Sequence, residues 1–380
     1  MAPGTPTPLE EGAARRGIEG FELDLQRTEE GHFRGRCLPY VRALTLLRGI
    51  VAGPDAVEPI VANLKRVWQM RTFYAYYDRP FVVLAALRAE ALASAQHPLA
   101  RAFATEAPDA LAVTREGLVQ ALSPARTGLW SSLATRAPQT NEVSRAVVWK
   151  WPAELAGCSN RARPIGLVDV GASGGLNLIA DRLPDLWEGP GGAPLRVGVG
   201  LDVRLRVAFD LNPLDFRNDR DVAWARACIW PGDVRRVERF ERAVREWCAS
   251  FTGPGAPPEL HALNASLVPG RLPALFAALP ANGVLFVYQT VMREYMDPAK
   301  RERYEDGMRR WLATVPRGRA AWLEAEVTPH PATLALAAHV PDGGGGVRSM
   351  TLALMHVHPG VVDTYAQAAA EFAGCFKPAG

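Results

Sequence analysis

The sequence predicts an α/β protein in which a helical N-terminal domain precedes a Rossmann-like sheet domain. Three observations carry that expectation. Before residue 157 the apolar residues recur at helical spacing. At Pro164 the pattern changes to short apolar runs that alternate with helical stretches, the signature of a mostly parallel sheet. The first of those runs ends in a glycine loop, Asp169-Val-Gly-Ala-Ser-Gly-Gly-Leu-Asn177.

Bulk properties narrow the classes. The chain has 380 residues, a length that suits two domains, and is 48% hydrophobic, enough for a sizeable core. The 43 basic and 40 acidic residues leave a net charge of +3 with no clustered basic excess, which argues against a nucleic-acid partner. Cys37, Cys158, Cys228, Cys248 and Cys375 form no CxxC pair and read as free thiols of a reducing compartment. No stretch has the make-up of a signal peptide or a membrane span, so a cytoplasmic protein without a membrane partner is expected.

The elements follow in order. Residues 1–18 read as a disordered tail rich in Pro, Gly, Thr and Glu. Residues 19–157 form the helical domain. Tyr40, Ala43, Leu44 and Leu47 mark one helix and Phe81, Leu84, Ala85 and Arg88 another, with Pro98, Pro108, Pro124 and Pro138 as punctuation and no strand. Residues 158–380 form the sheet domain. Its strands are expected at 165–170, 195–201, 206–211, 259–264, 283–289, 320–327 and 349–357. Its helices are expected at 175–186, 221–228, 233–251 and 269–278, with a further helix opened by Asp297 as N-cap and Pro298 in first position. Residues 188–194 are a Gly/Pro loop, and Gly343 to Gly346 a flexible loop before the last strand.

The glycine loop is the main candidate site. Strand, glycine turn, helix brings backbone amides close to a ligand, although a tight turn alone needs the same glycines. The candidate contacts are Asp169, Gly171, Ala172, Ser173, Gly174, Gly175 and Asn177. Asp169 at the strand end favours a cationic ligand and repels phosphate. The loop also lacks the Lys-Ser/Thr pair of a nucleotide-triphosphate loop. Asp210, followed by Leu211 and Asn212, ends the 206–211 run and is the candidate ribose acid; Asp202 is its rival. Asn264 and Ala265 follow the next strand, and Tyr288, Gln289 and Thr290 close the strongest one, at the carboxyl edge where open α/β sheets bind ligands. Solvated loop acids and a turn-forming asparagine are the plain alternatives.

This arrangement resembles S-adenosylmethionine-dependent methyltransferases. In them an acid after the first strand receives the methionine amino group, one after the second receives the ribose hydroxyls, and an Asp or Asn after the third meets adenine. A closer resemblance covers residues 33–295. It rests on Arg34-Gly-Arg-Cys-Leu-Pro-Tyr40, His97-Pro-Leu-Ala100, Arg136-Ala-Pro-Gln-Thr-Asn-Glu-Val-Ser-Arg145, the glycine loop from Val168, Asp210-Leu-Asn-Pro-Leu-Asp215 and Ala227-Cys-Ile-Trp-Pro231. On these the chain resembles the bacterial family known as domain of unknown function 2332. The resemblance implies a class I methyltransferase fold with a helical N-terminal addition and S-adenosylmethionine as cofactor. Asn264 stands where the family usually has an acid, and Gln289 where a histidine is common.

The acceptor side is read from other residues. Gln139, Thr140, Asn141, Glu142 and Arg145 open a helix running to about residue 151. Thr140 suffices as its cap, which leaves a polar cluster to explain. Tyr40, Arg136, Gln139, Asn141 and Arg145 are the expected contacts to a small-molecule acceptor, and Glu142 and Tyr288 the candidate catalytic groups. The aromatic group Trp68, Phe73, Tyr74, Tyr76 and Tyr77 reads chiefly as packing. His356 and His358 share a strand face without further ligands nearby, so no metal is expected. No GxSxG elbow supports a hydrolase. Two other functions remain: a cofactor-binding regulatory protein without turnover, and a nicotinamide oxidoreductase, against which the non-standard loop and Asp169 argue.

Overall fold

The computed structural model describes residues 15–330 and 332–377. Fourteen residues of the expected tail therefore lie outside the described residues. The chain forms two compact units. One comprises the chain up to Thr140 with Asn218–Glu238; the other comprises Asn141–Arg217 with Arg239–Gly380.

The first unit is helical: α1 (Phe21–Thr28), α2 (Leu38–Val51), α3 (Glu58–Trp68), α4 (Asp78–Ala93), α5 (Arg115–Ala121) and α6 (Thr127–Thr135). Pro39 and Pro59 sit in the first turns of α2 and α3, where a missing N–H costs nothing. In α2 the buried positions Tyr40, Ala43, Leu44 and Leu47 repeat at helical spacing. α4 is buried on nearly every face, including its arginines. Arg79 donates from Nε and Nη2 to Asp24 Oδ2 at 3.0 and 2.6 Å, and Arg88 donates to the carbonyls of Phe103 and Arg226. Buried guanidiniums persist only with such partners. The unit also holds a strand pair the sequence did not suggest. β1 (Arg15–Arg16) runs antiparallel to β2 (Thr72–Phe73), and Arg15 Nη1 donates to Tyr74 O at 2.9 Å.

The second unit is a mixed α/β structure around a mostly parallel sheet. It starts with a 3-10 turn (Val143–Ala146) and α7 (Val147–Leu155). β3 (Pro164–Val170) leads through the glycine loop into 3-10 turns (Leu176–Arg182), then β4 (Asp202–Asp210). α8 (Asp219–Ala227) lies in the first unit. Beyond it come α9 (Val234–Ala249), β5 (Glu259–Ala262), α10 (Leu272–Ala277), β6 (Val284–Thr290), α11 (Pro298–Thr314), β7 (Ala320–Val327), β8 (Thr333–Pro341), β9 (Val347–His356), β10 (Val362–Thr364) and α12 (Ala366–Cys375). The strand order is β10-β9-β8-β7-β6-β3-β4-β5, with β5, β4, β3, β6 and β7 mutually parallel and β8, β9 and β10 added antiparallel. β3 is buried at every position and β6 at all but the last, as befits strands covered on both faces. One face packs on α7 and α12 through Leu167, Ala208, Phe286, Tyr288 and Leu323. The other packs on α11 through Val168, Val170, Phe209, Val287 and Trp322.

This order places a reversal beside β3. The chain goes from β3 outward to β4 and β5, then returns to β6 on the other side of β3. The carboxyl ends of β3 and β6 therefore flank a topological switch point, where open α/β sheets leave a crevice.

The structure corrects several local expectations. Segment 141–157 belongs with the sheet: Val147, Val148, Trp149 and Trp151 join its core, and Trp149 Nε1 donates to Asn177 O at 2.9 Å. Segment 218–238 belongs with the helices: Trp224 Nε1 donates to Ala137 O and Arg136 pairs with Asp221 at 2.6 Å. Residues 195–201 form no strand, because their backbone bonds go elsewhere. Gly198 N donates to Lys150 O, while Val199 O and Gly200 O accept from Asn160 and Arg161. One strand, β4, starts only at Asp202. The expected helix at 175–186 is a run of 3-10 turns entered through left-handed Gly175. Strands β8 and β10 and helix α12 were not foreseen. The Gly343 to Gly346 stretch is the β8–β9 hairpin turn, pinned by Asp342 Oδ1 accepting from Gly344 N and Gly346 N.

Candidate functional site

The glycine loop is held by the end of β4. Gly171 N and Ala172 N donate to Phe209 O at 2.8 and 3.2 Å, and Ser173 N donates to Asp210 Oδ2 at 2.8 Å. Asp210 Oδ1 accepts from Asn212 N at 2.8 Å. The carboxylate thus ties loop and strand together, with lone pairs left over on both oxygens. Burial pushes Asp210 upward, and those amides pull it back. Asp202 lies at the opposite, amino end of β4, paired with Arg204. Gly171, Ser173 and Gly175 all have positive φ, which accounts for two of the loop's glycines by backbone conformation. The third is a matter of space: a Cβ on Gly174 would meet Phe216 Cε2 at 2.1 Å. A Cβ on Gly171 would meet Met292 Cγ at 2.9 Å.

Asp169 is 2% exposed and lies in register between Ala208 of β4 and Tyr288 of β6. Burial pushes its carboxyl up to about 8; the nearby Tyr288 hydroxyl works against that shift, and Asp210 adds to it. The Tyr288 phenol is itself raised well above its ordinary value, first by burial and then by Asp169. The two groups are close enough to bias each other, yet neither Asp169 Oδ2 nor the phenol oxygen makes a hydrogen bond of good geometry. Asn177 Oδ1, at the start of the following turns, is also buried and unpaired. Asn177 Oδ1 is thus left unsatisfied at the switch point, and Asp169 Oδ2 and the phenol have only a poorly aligned contact with each other, where folded proteins normally satisfy more than nine in ten buried polar atoms.

A second cluster starts at Asn141, whose Nδ2 is likewise buried without a partner. Glu142, not Thr140, caps the turn that follows: its side chain accepts from Ser144 N at 3.1 Å. It also meets Arg239 Nη2 at 3.3 Å and lies 3.6 Å from His358 Nδ1. Arg145 Nε donates to Val357 O at 3.0 Å. The Val143–Ala146 turn packs on the Leu176–Arg182 turns, so this cluster adjoins the glycine loop's helix end.

A third polar group lies under the opposite face of the sheet. Gln289 is fully buried there, one residue out of phase with Tyr288. Its Oε1 accepts from Tyr304 at 2.6 Å and from Trp322 at 3.2 Å, and its Nε2 donates to Glu326 at 2.9 Å. Glu326 also accepts from Met292 N and Arg293 N. Burial pushes Glu326 up to about 7, opposed first by the Gln289 amide. Glu324 takes Arg293 Nη2 at 2.6 Å and His339 Nε2 at 2.8 Å. Sequence reasoning missed this group, although two glutamates in the otherwise apolar run of β7 were a visible signal.

The remaining expected contacts are dispersed. Asn264 caps the Ala265–Gly270 turn, its Oδ1 accepting from Ser266 N and Oγ. Leu211 is exposed and Thr290 half-buried at the strand ends. In the helical unit, the Tyr40 ring packs edge-on to Phe33 and Phe103. Arg136 is paired with Asp221 and lies over Trp224, and the Gln139 backbone bonds Cys228. Phe21, Trp68 and Phe73 form edge-on contacts in its core, and His32, Tyr76, Tyr77 and Phe81 pack together likewise. His356 and His358 have ring centroids 5.8 Å apart. No helix among the described residues is long and apolar enough to cross a membrane.

Fold and site define an α/β protein with a mostly parallel sheet and a glycine loop beside polar side chains at its switch point. The sequence profile of one family, described as an uncharacterized protein conserved in bacteria, matches residues 44–363. The chain belongs to that family, domain of unknown function 2332. No curated protein and no solved structure matches it.

Proposed function

We propose that the second unit binds S-adenosylmethionine at the carboxyl ends of β3 and β6 and that the protein is a methyltransferase acting on a small-molecule acceptor. The observation that carries this reading is Asp169: a buried carboxyl with an unpaired oxygen, beside a glycine loop, at the switch point. A buried carboxyl with only a phenol beside it ionises when a cation is seated on it, and the ligand's amino-acid ammonium supplies one. The parallel order β5-β4-β3-β6-β7 supports a Rossmann-like, class I methyltransferase fold, since it repeats the first five strands of the dinucleotide-binding order.

The cofactor, when bound, supplies an electrophilic methyl group; the chain's residues bind and orient. Asp169 accepts the ammonium. Tyr288, held protonated by burial, donates a hydrogen bond and is no base. Asp210 offers its remaining lone pairs to ribose hydroxyls while it holds the loop. Asn141 Nδ2, with Glu142 and Arg145 behind it, faces the acceptor, and alignment of donor and acceptor does most of the work.

Calorimetry with S-adenosylhomocysteine and with NAD tests the assignment. Binding of the first, lost in Asp169→Asn, supports it; binding of NAD alone, or equal affinity in the variant, overturns it. The first three loop amides are already bonded within the protein, which favours as second reading a regulatory protein that binds the same ligand without turnover. Release of S-adenosylhomocysteine from S-adenosylmethionine in the presence of acceptor pools separates the two.

A further inference from the structure

The turn that follows β6 is held in a costly conformation. Val291 has φ of 50°, in the left-handed region that a β-branched residue rarely adopts. Something must hold it there, and the structure shows what. Val291 N donates to Ala325 O at 2.9 Å. The next two amides, Met292 N and Arg293 N, both donate to the carboxylate of Glu326, at 3.2 to 3.3 Å. The Arg293 side chain is clamped as well, to Glu324 at 2.6 Å and to Glu305 of α11 at 3.1 Å. Glu326 itself is steadied by Gln289 Nε2 at 2.9 Å.

The product of this clamp is the position of one side chain. Met292 lies against Gly171, its Cγ and Sδ 2.9 and 3.1 Å from where a Cβ on that glycine would be. The space that Gly171 leaves free is therefore filled by an unbranched thioether chain from the protein itself. A ligand whose own aliphatic chain runs over the glycine loop has to take that space. Methionine is well suited to vacate it, having flexible torsions and a polarizable sulfur that packs in many geometries.

We propose that the Thr290–Met296 turn is a gate over the glycine loop, with Met292 as its plug and the Glu326 carboxylate as its latch. Displacement of Met292 relieves the strain at Val291, so that part of the cost of opening is already stored in the closed form. The ligand identity rests on the cofactor reading above; the latch does not.

The test uses two readouts. Without ligand, hydrogen peroxide converts exposed thioethers to sulfoxides, and peptide mapping follows Met292 alone. Met292 is 7% exposed, so its oxidation reports opening. Glu326→Gln places an amide donor among donors, and Glu326→Asp withdraws the carboxylate from the amides while keeping its charge. Each should speed Met292 oxidation about tenfold or more, as expected when a minor open state becomes common. With ligand, Met292→Ala should bind S-adenosylhomocysteine about tenfold more tightly than the parent chain, because the plug no longer competes. Thermal melts of each variant establish that it folds. Oxidation at the parental rate in both Glu326 variants overturns the latch, and unchanged or weaker binding by Met292→Ala overturns the plug. If neither the parent nor Met292→Ala binds the ligand, the cofactor reading fails, and the oxidation rates alone decide the latch.

Discussion

Binding of a cationic amino acid at Asp169 should expel a proton. Burial holds this carboxyl at about 8. At pH 7 roughly nine-tenths of the molecules then carry the neutral acid, against almost none for an ordinary aspartate. An ammonium seated on Asp169 restores the carboxylate, so binding releases about 0.9 proton at pH 7 and progressively less above pH 8. The same coupling makes affinity depend on pH. Below pH 8 each unit of acidity adds about 1.4 kcal/mol to the cost of ionising the site, so S-adenosylhomocysteine should bind about tenfold more weakly at pH 6 than at pH 7. The assay is titration calorimetry at pH 7 in phosphate and in Tris, whose ionisation enthalpies differ widely. The slope of observed enthalpy against buffer enthalpy counts the protons. Asp169→Asn, which has no carboxylate to restore, should show no binding heat in either buffer. Binding that is buffer-independent in the parent chain and flat between pH 6 and 8 would refute the claim that Asp169 receives the cation.

Three further outcomes follow from the same geometry. Gly174→Ala should cost about 3 kcal/mol of stability by chemical denaturation, because its Cβ enters the Phe216 ring; in the Phe216→Leu background the same change should cost less than half as much, a coupling that a double-mutant cycle reads directly. Asp210→Ala should weaken S-adenosylhomocysteine binding by about 1–3 kcal/mol and loosen the loop, whereas Asp202→Ala, at the far end of β4, should leave binding unchanged. Asp169→Asn should stabilise the free protein more at pH 8 than at pH 5. A raised folded-state value means that folding favours the neutral acid, so the parent chain loses stability as pH rises from about 4 towards 8, by at most about 1.4 kcal/mol per unit, and melting curves across that range would show the two chains running parallel if the shift were absent.

How much was legible in advance depended on whether a residue's neighbours are close in sequence. β3, β6 and β7 announce themselves as apolar runs, and the Asp297-Pro298 cap signals α11, because each needs only local information. Residues 195–201 look equally strand-like, yet their amides and carbonyls pair with Lys150, Asn160 and Arg161, and no local pattern reveals that. Segments 141–157 and 218–238 join units other than their sequence neighbours' for the same reason. Trp149 and Trp224 find their partners at Asn177 and Ala137, far along the chain. β8 carries little local signal because its buried positions alternate with alanines, although Leu334, Leu336, Ala338 and Val340 do keep the period of two. In the site, Asp169, Asp210 and the loop glycines were legible from strand-loop-helix order. Phe216, Met292, Arg239 and Glu326 were not, since their roles exist only where distant segments meet.

The two polar groups on either face of the sheet invite a direct comparison. Both are buried at the carboxyl end of β6, one reaching to β3 and the other to β7, and residues adjacent in sequence, Tyr288 and Gln289, point one into each. On the α11 side Gln289 Nε2 and the Tyr304 hydroxyl each donate to an acceptor, and Glu326 and Glu324 are met by amides, a guanidinium and an imidazole, although Arg293 Nε lacks a well-formed bond. A network satisfied in this way explains its own persistence as structure. On the other side Asp169 Oδ2 and the Tyr288 hydroxyl have only a poorly aligned contact with each other, and the buried Asn177 Oδ1 has no partner. Leaving a buried polar atom unpaired costs about 1–3 kcal/mol, a cost that folding alone gives no reason to carry. The difference between the faces is therefore what points to a ligand. The acceptor pair Asp169 and Asn177 beside the donor Tyr288 asks for a group that donates more than it accepts, as an ammonium does.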